Sequence, residues 1–248
     1  MKEEPIEVIG VTGLPLIHEG DDLPALICKN VSLNEGDIVC VASSVYSKAR
    51  GYTRRLDEIT PGKQAEKIAS GTGEDARFIQ AVLDASSEVL LEHPFVLSEV
   101  PCGHIGVRAG VDQSNIENEM IILLPPEPNK AAQDIREGIA SISGKDVAVI
   151  LTDTCGRSFR RGQTGHAIGW SGIPAIQDFR GEKDLFGHVL LITEEAVVDE
   201  IAGFANFVMG ESNKGVPVVV FRNCPGWKGH DNLYFSREED IFRKKLKN

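Results

Sequence analysis

The sequence predicts an α+β fold: a mixed sheet with flanking helices, arranged in two lobes. Three observations carry this. Short Val- and Ile-rich runs alternate with helical stretches along most of the 248 residues. The run "DVAVILTDT" (146–154) reads as a strand buried on both faces. The strands read at 102–108 and 119–124 lie too close together for a helical crossover, so the chain is no simple βαβ series. The lobe boundary is placed near residue 95, with a return near 190, giving 1–95 plus 190–248 as the larger lobe and 96–189 as the second.

Taken in order, "IEVIGVTG" (6–13) and "DIVCVASSV" (37–45) are strands, and "DDLPALICKN" between them reads as a short helix. Thr60 followed by Pro61 is an N-cap and first-turn signal for "GKQAEKIAS". Residues 74–92 read as one long helix, with Phe78, Val82 and Val89 near one face. The polar turn "VDQSNIEN" separates the two close strands, and a helix from Lys130 to Ile142 stops at Gly144. "HVLLITEE" (188–195) reads as a strand running through Thr193, a helix cap, into "EEAVVDEIAGFANFVMG". There Val197, Ile201, Phe204 and Val208 recur at the spacing of a buried face, and Gly210 ends the helix. "GVPVVVFRN" is a last strand and "REEDIFRKKLKN" a charged terminal helix.

Composition is that of an ordinary globular chain, 42% hydrophobic and 25% charged, with net charge −11. Such a surface repels nucleic acid and anionic membranes, so an anionic ligand must be met by a local cluster of cations. Arg157, Arg160 and Arg161, with Arg180 further on, stand against that global trend. A nucleic-acid module built on "GRSFRRG" is the non-enzymatic alternative, disfavoured by net charge and by Asp153 beside it. With no signal-peptide pattern and no window of membrane-helix length, the expected location is the cytoplasm. The five cysteines, at 28, 40, 102, 155 and 224, form no C-x-x-C pair, which argues against a disulfide framework or a structural zinc site. Cys155 reads as a small residue in a tight turn.

The informative polar residues follow directly on apolar strands, where such folds expose chemistry. Gly13 permits a tight turn or a close ligand approach; Ser43, Ser44 and Lys48 supply two hydroxyls and a phosphate partner. Asp112 and Asn115 follow the strand at 102–108, Asp153 and Thr154 end the strand from 146, and Glu211 follows the long helix. A carboxylate just behind an apolar strand, as Asp153 is, costs too much unless a metal or cation meets it. Three acids and a hydroxyl form the hard oxygen set that Mg²⁺ or Mn²⁺ prefers, which suggests metal-assisted phosphoryl chemistry. Neither G-x-x-x-x-G-K-[ST] nor a strand-to-helix G-x-G-x-x-G is present, so any nucleotide sits in a cradle of another kind.

Six blocks together, "VTGLPLIHEGDDL", "SSVYSKARG", "RAGVDQSNIE", "DTCGRSFRRGQTGHAIGWSGI", "DEIAGFANFVMGE" and "GVPVVVFR", resemble the GTP-dependent γ-glutamyl ligases of the coenzyme F420-0:L-glutamate ligase family. They run in the family's order from about residue 10 to 222. The resemblance implies a family-specific fold, a homodimer, two Mg²⁺ or Mn²⁺ sites, a monovalent cation such as K⁺, and GTP as co-substrate. It implies an acyl phosphate formed on the terminal carboxylate of F420-0, attacked by L-glutamate, then a second glutamate joined by a γ-linkage. A paralogous amide ligase or phosphotransferase with a different carboxylate acceptor is the other enzymatic reading.

By the same resemblance the larger lobe binds nucleotide and the second carries metal-binding loops. Gly13, Leu14, Pro15, Leu16, Ser43, Ser44, Lys48 and Asn115 belong to the GTP site, together with Met209, Gly210, Glu211, Ser212, Asn213, Lys214, Gly215 and Val216. Asp112 and Asp153 correspond to ligands of one metal, Thr154 and Glu211 to the second. Lys48, Asp153 and Arg157 are the expected catalytic residues; Arg157, Arg160 and Arg161 would face the acceptor's phosphodiester, the acyl phosphate or a partner subunit. Arg50 stands where the family commonly has an acid. The segment 223–236 matches nothing in the pattern; Trp227 and Tyr234 would alter the acceptor if they lie near it, with packing the plainer reading for Trp227.

Overall fold

The computed structural model describes residues 4–246. Its centre is a five-stranded mixed sheet in the order β1-β12-β2-β8-β9, from β1 (Glu7–Val11), β2 (Ile38–Ala42), β8 (Ala148–Gly156), β9 (Gln163–Ser171) and β12 (Val218–Arg222). Only β2 and β8 pair in parallel; the remaining neighbours are antiparallel, so the α+β reading holds. β2, the inner part of β8, and β12 are buried residue after residue, as strands covered on both faces must be. One face is covered by α1 (Leu23–Asn30) and α5 (Pro128–Ser143), around Ile27, Ile135, Leu151 and Val220. The other is covered by α6 (Val197–Met209), around Ile150, Ala202 and Val219.

A third core, between Leu56 and Ile121, is built on α3 (Lys63–Thr72) and α4 (Ala76–Ala85). The three-stranded sheet β4 (Glu88–Leu91), β5 (Leu97–Glu99) and β6 (Ile105–Val107) lies beside it in sequence, and β3 (Thr53–Arg55) pairs with β7 (Met120–Ile122). Strands β8 and β9, within the expected 96–189 lobe, hydrogen-bond into the same sheet as β1, β2 and β12. Asp37, almost fully buried, holds Arg222 in a bidentate pair at 3.0 and 2.9 Å and so fixes the end of β12 beside the start of β2.

Several elements depart from the sequence reading. The helix expected over 74–92 ends at Ala85, because the Ser86 hydroxyl donates back to the Val82 carbonyl at 2.6 Å; Val89 then lies in β4. The N-cap of α3 is Gly62 rather than Thr60, with the Gly62 amide donating to the Gln80 side chain at 2.9 Å. In α6 the buried residues are Val198, Ala202, Ala205 and Met209, one position on from the predicted face, and the cap is Ala196. Small alanines bring that helix against the sheet, and Phe204 stays half exposed. Of 188–195 only β11 (Glu194–Glu195) is strand, paired with β10 (Ile176–Asp178), which also pairs with β13 (Gly229–His230). The preceding Leu191 and Ile192 stand exposed.

β9 went unread because its glycines look like loop. A Cβ on Gly165 would sit 2.4 Å from the Ala202 carbonyl oxygen, and one on Gly169 would sit 2.3 Å from the Pro128 carbonyl carbon. Glycine is therefore what lets α6 and α5 press against this strand. The terminal helix α7 spans Ile241–Leu246, and the last two residues of the expected helix lie outside the described range. Among the described residues no helix is long and apolar enough to cross a membrane.

Candidate active site

Parallel pairing of β2 with β8 sets the site. The register ends with Ala42 opposite Thr152, so the next residues on the two strands, Ser43 and Asp153, emerge side by side at the carboxyl end of the sheet. There the chain opens a cleft of ≈ 360 Å³. α2 (Ser43–Ala49), a helix the sequence reading missed, starts without an intervening loop and carries Ser43, Ser44 and Lys48 into the cleft.

Asp153 lies on the cleft floor. Burial raises its carboxyl to about 7, with Asp112 and Glu211 adding repulsion, while the Thr154 amide and the Ser43 hydroxyl pull the other way. The charge on Asp153 is thus disfavoured unless a cation enters. Asp112 is held by its own turn: its carboxylate accepts the amides of Gln113 and Ser114 at 2.8 and 3.0 Å and the Ser114 hydroxyl. Glu211 accepts from the Asn206 side chain on α6. Lys48 donates to the Asn115 backbone carbonyl at 2.5 Å; burial lowers its ammonium, opposed by Glu117 and Asp112.

The expected site residues largely converge. Leu14, Pro15, Leu16, Ser43, Ser44, Lys48, Asp112, Asn115, Asp153, Thr154 and most of 209–216 line this one cleft. Gly13, at φ 82°, turns the chain just before it, and the Lys214 side chain lies over Gly210. Asn206, Ser114 and Thr152 also line it and were not anticipated. Asn206 had a readable signal, an amide in the otherwise apolar "AGFANFVMG".

Arg157, Arg160 and Arg161 lie outside the cleft lining, on the β8–β9 hairpin. The hairpin tip, Phe159, is 97% exposed. Arg157 is half-buried; its Nε is buried without a partner, and its guanidinium donates to the Arg161 carbonyl at 3.3 Å. Cys155 lies within β8 opposite Thr164 and not in the expected turn; burial pushes its thiol up, away from the reactive thiolate. Trp227 packs against the α6-side core and donates to the Pro174 carbonyl at 2.9 Å, a packing role.

The donor set suits a hard divalent cation: carboxylate and hydroxyl oxygens, with neither thiol nor imidazole among them. Elsewhere, Asp178, Glu194 and His230 bring ligand atoms within 4.8 Å of one another. That cluster already holds a cation, since the Arg180 guanidinium reaches Asp178 at 2.7 Å and Glu194 at 3.2 Å.

Comparison with known proteins gives one consistent result. The family model described as F420-0:Gamma-glutamyl ligase matches residues 12–223. The chain is 48% identical to the coenzyme F420:L-glutamate ligase of Archaeoglobus fulgidus over 244 residues, 98% of each chain. It is 49% identical to the enzyme of that name from Methanosarcina acetivorans over 245 residues, 97% of this chain and 96% of the relative. Against that of Halobacterium salinarum the identity is 46% over 250 residues, 98% and 97% of the two chains. A match spanning the whole cleft, from the Gly13 turn to the segment after α6, shows that the chain belongs to the F420-0:gamma-glutamyl ligase family.

Proposed function

We propose that the protein is a GTP-dependent ligase that joins L-glutamate to the terminal carboxylate of coenzyme F420-0, then adds a second glutamate through a γ-linkage. The convergence of Asp112, Asp153 and Glu211 with Lys48 and Ser43 in one cleft carries the reading. An amine does not displace hydroxide from a carboxylate in water. Transfer of the γ-phosphoryl group replaces that leaving group: an acceptor carboxylate oxygen bonds to phosphorus, the bond to GDP breaks, and the amine then attacks the acyl carbon as phosphate departs.

Each cleft residue has a part in this. Lys48, with Ser43 and Ser44, would bind phosphate oxygens, and its anchor on Asn115 fixes where the charge points. Leu14 to Leu16 and the 209–216 segment would enclose the nucleoside. Asp112 and Asp153 would hold one Mg²⁺ or Mn²⁺, Thr154 and Glu211 a second, with K⁺ assisting; bound there, the ions neutralise charge on the transferring group. Arg157, Arg160 and Arg161, on the hairpin that follows β8, would meet an anionic acceptor.

The exposed side chains of Leu185, Phe186, Leu191 and Ile192 support a homodimer, because a lone protomer would leave them in water. Sedimentation at micromolar concentration checks this, and a monomer contradicts it. A cytoplasmic site of action fits soluble small-molecule substrates.

Equilibrium titration tests the nucleotide assignment. GTP should bind with Mn²⁺ present and lose most of its affinity when the metal is chelated. ATP binding as tightly as GTP, or GTP binding indifferent to metal, would argue for the other enzymatic reading, a paralogue with a different acceptor.

A further inference from the structure

A second cleft, of ≈ 230 Å³, opens on the far side of the ribbon that carries Asp112. The ribbon is rigid: Asp112 and Ile122 exchange both backbone hydrogen bonds, at 3.0 and 2.8 Å. Asp112 faces the first cleft, while Ala109 before it and Leu123 and Leu124 after Ile122 line the second. Three residues of chain span at most about 11 Å, so the two clefts are one short linker apart.

The walls of this second cleft are apolar. Val100, Leu123 and Leu124 line it with Pro101, Pro125 and Pro126, and the adjacent Pro125 and Pro126 stiffen one stretch of the lining. Leu124 packs against the α1–α5 core and Leu123 against the Leu56–Ile121 core, so the cleft lies where the two bodies of the fold meet. Its position depends on Gly110 at φ 68°, where a Cβ would come within 2.4 Å of a Leu124 methyl. The one charged group on the lining, Asp84, is already engaged by Arg54 at 3.1 Å and Gln80 at 2.7 Å. Among the described residues no lysine or arginine lines it, which disfavours a second polyphosphate. Such a lining suits a largely apolar group.

We propose that this cleft holds the ring system of the acceptor, whose carboxylate tail crosses the ribbon to react beside Asp112 and Asp153. The assignment rests on the acceptor reading given above. It divides the substrate by chemistry: the aromatic body lies between prolines and leucines, and the anionic tail reaches Lys48 in the other cleft. Cys102, on the second lining, is then a reporter, and Ala85 at the end of α4 is a residue whose enlargement fills the space.

The test uses the intact protein and a deazaflavin fragment that carries ring and ribityl chain but lacks the phospholactyl tail. Burial raises the Cys102 thiol, so alkylation is run at alkaline pH and read by peptide mass spectrometry, with Cys28, outside both clefts, as the internal control. The fragment should slow Cys102 labelling fivefold or more and leave Cys28 unchanged. Ala85→Trp should weaken fragment binding tenfold or more and raise KM for the full acceptor, with KM for GTP unaltered. Unprotected Cys102, or wild-type fragment affinity in Ala85→Trp, overturns the assignment. If the full acceptor still gains glutamate while Cys102 stays unprotected, only the ring site is wrong. A protected Cys102 with no glutamate gained upholds the ring site and refutes the ligase reading.

Discussion

Lys48 donates its ammonium to the backbone carbonyl of Asn115 at 2.5 Å, across 67 residues of sequence, and so ties the α2 rim of the cleft to the Asp112 rim. Loss of the amine removes both a phosphate partner and this tether. Lys48→Ala should raise KM for GTP by about tenfold or more, since charge-assisted bonds of this kind contribute about 1.5–3 kcal/mol. KM for glutamate should move much less. Steady-state kinetics with each substrate varied separately reads the split, and equal effects on both would point to a general folding defect.

Asp153 shares its field with Asp112 and Glu211, so the charge that makes it a metal ligand is a cost to the empty fold. Asp153→Asn should lower turnover about 10²-fold or more, in the range seen when one preorganised stabilising group is lost. The melting temperature of the metal-free protein should hold or rise. Wild-type turnover in this variant would remove the metal role.

Gly165 and Gly169 explain most of what was hidden in the sequence. The fold class, β2, β8, α5 and the grouping of Ser43, Lys48, Asp112, Asp153 and Glu211 followed from apolar runs and the polar residues at their ends, whereas Leu14 to Leu16 and the rest of 209–216 came from the family resemblance. β9 did not, because "GQTGHAIGW" carries the glycine content of a loop, and its reason for glycine is the close approach of α5 and α6, a tertiary fact. The α4–β4 boundary was similarly invisible, since Val89 continues the helical spacing and only the Ser86 hydroxyl breaks it. The 188–195 run read as one strand because it is apolar, yet only Glu194–Glu195 joins a sheet, while Val189 makes an isolated bridge to Lys183 and Leu191 and Ile192 stand exposed. Gly165→Ala should cost about 1–3 kcal/mol, the usual penalty for overpacking, read as a lower urea midpoint. Unchanged stability would mean that α6 does not press on β9 as described.

His104 is 7% exposed, and burial with the nearby His166 lowers its imidazole from 6.5 to about 4. Between those pH values the unfolded chain binds the proton and the folded one does not, so stability is present above pH 6.5 and falls as pH drops toward 4. The loss amounts to about 3 kcal/mol at 1.36 kcal/mol per pH unit. His104→Gln should flatten this part of the stability curve, measured by urea unfolding at stepped pH. A variant whose slope matches the wild type would show that His104 is not the group being protonated.

The central claim is that one cleft brings GTP, metal and a carboxylate acceptor together for amide ligation. It is tested most directly by incubating the purified protein with GTP, Mn²⁺, L-glutamate and F420-0 and following the coenzyme by mass spectrometry. The account predicts a coenzyme heavier by one and then two glutamyl residues, with GDP and phosphate released in step and no product when metal is chelated. An unchanged coenzyme mass, or product formed without GTP, would contradict it.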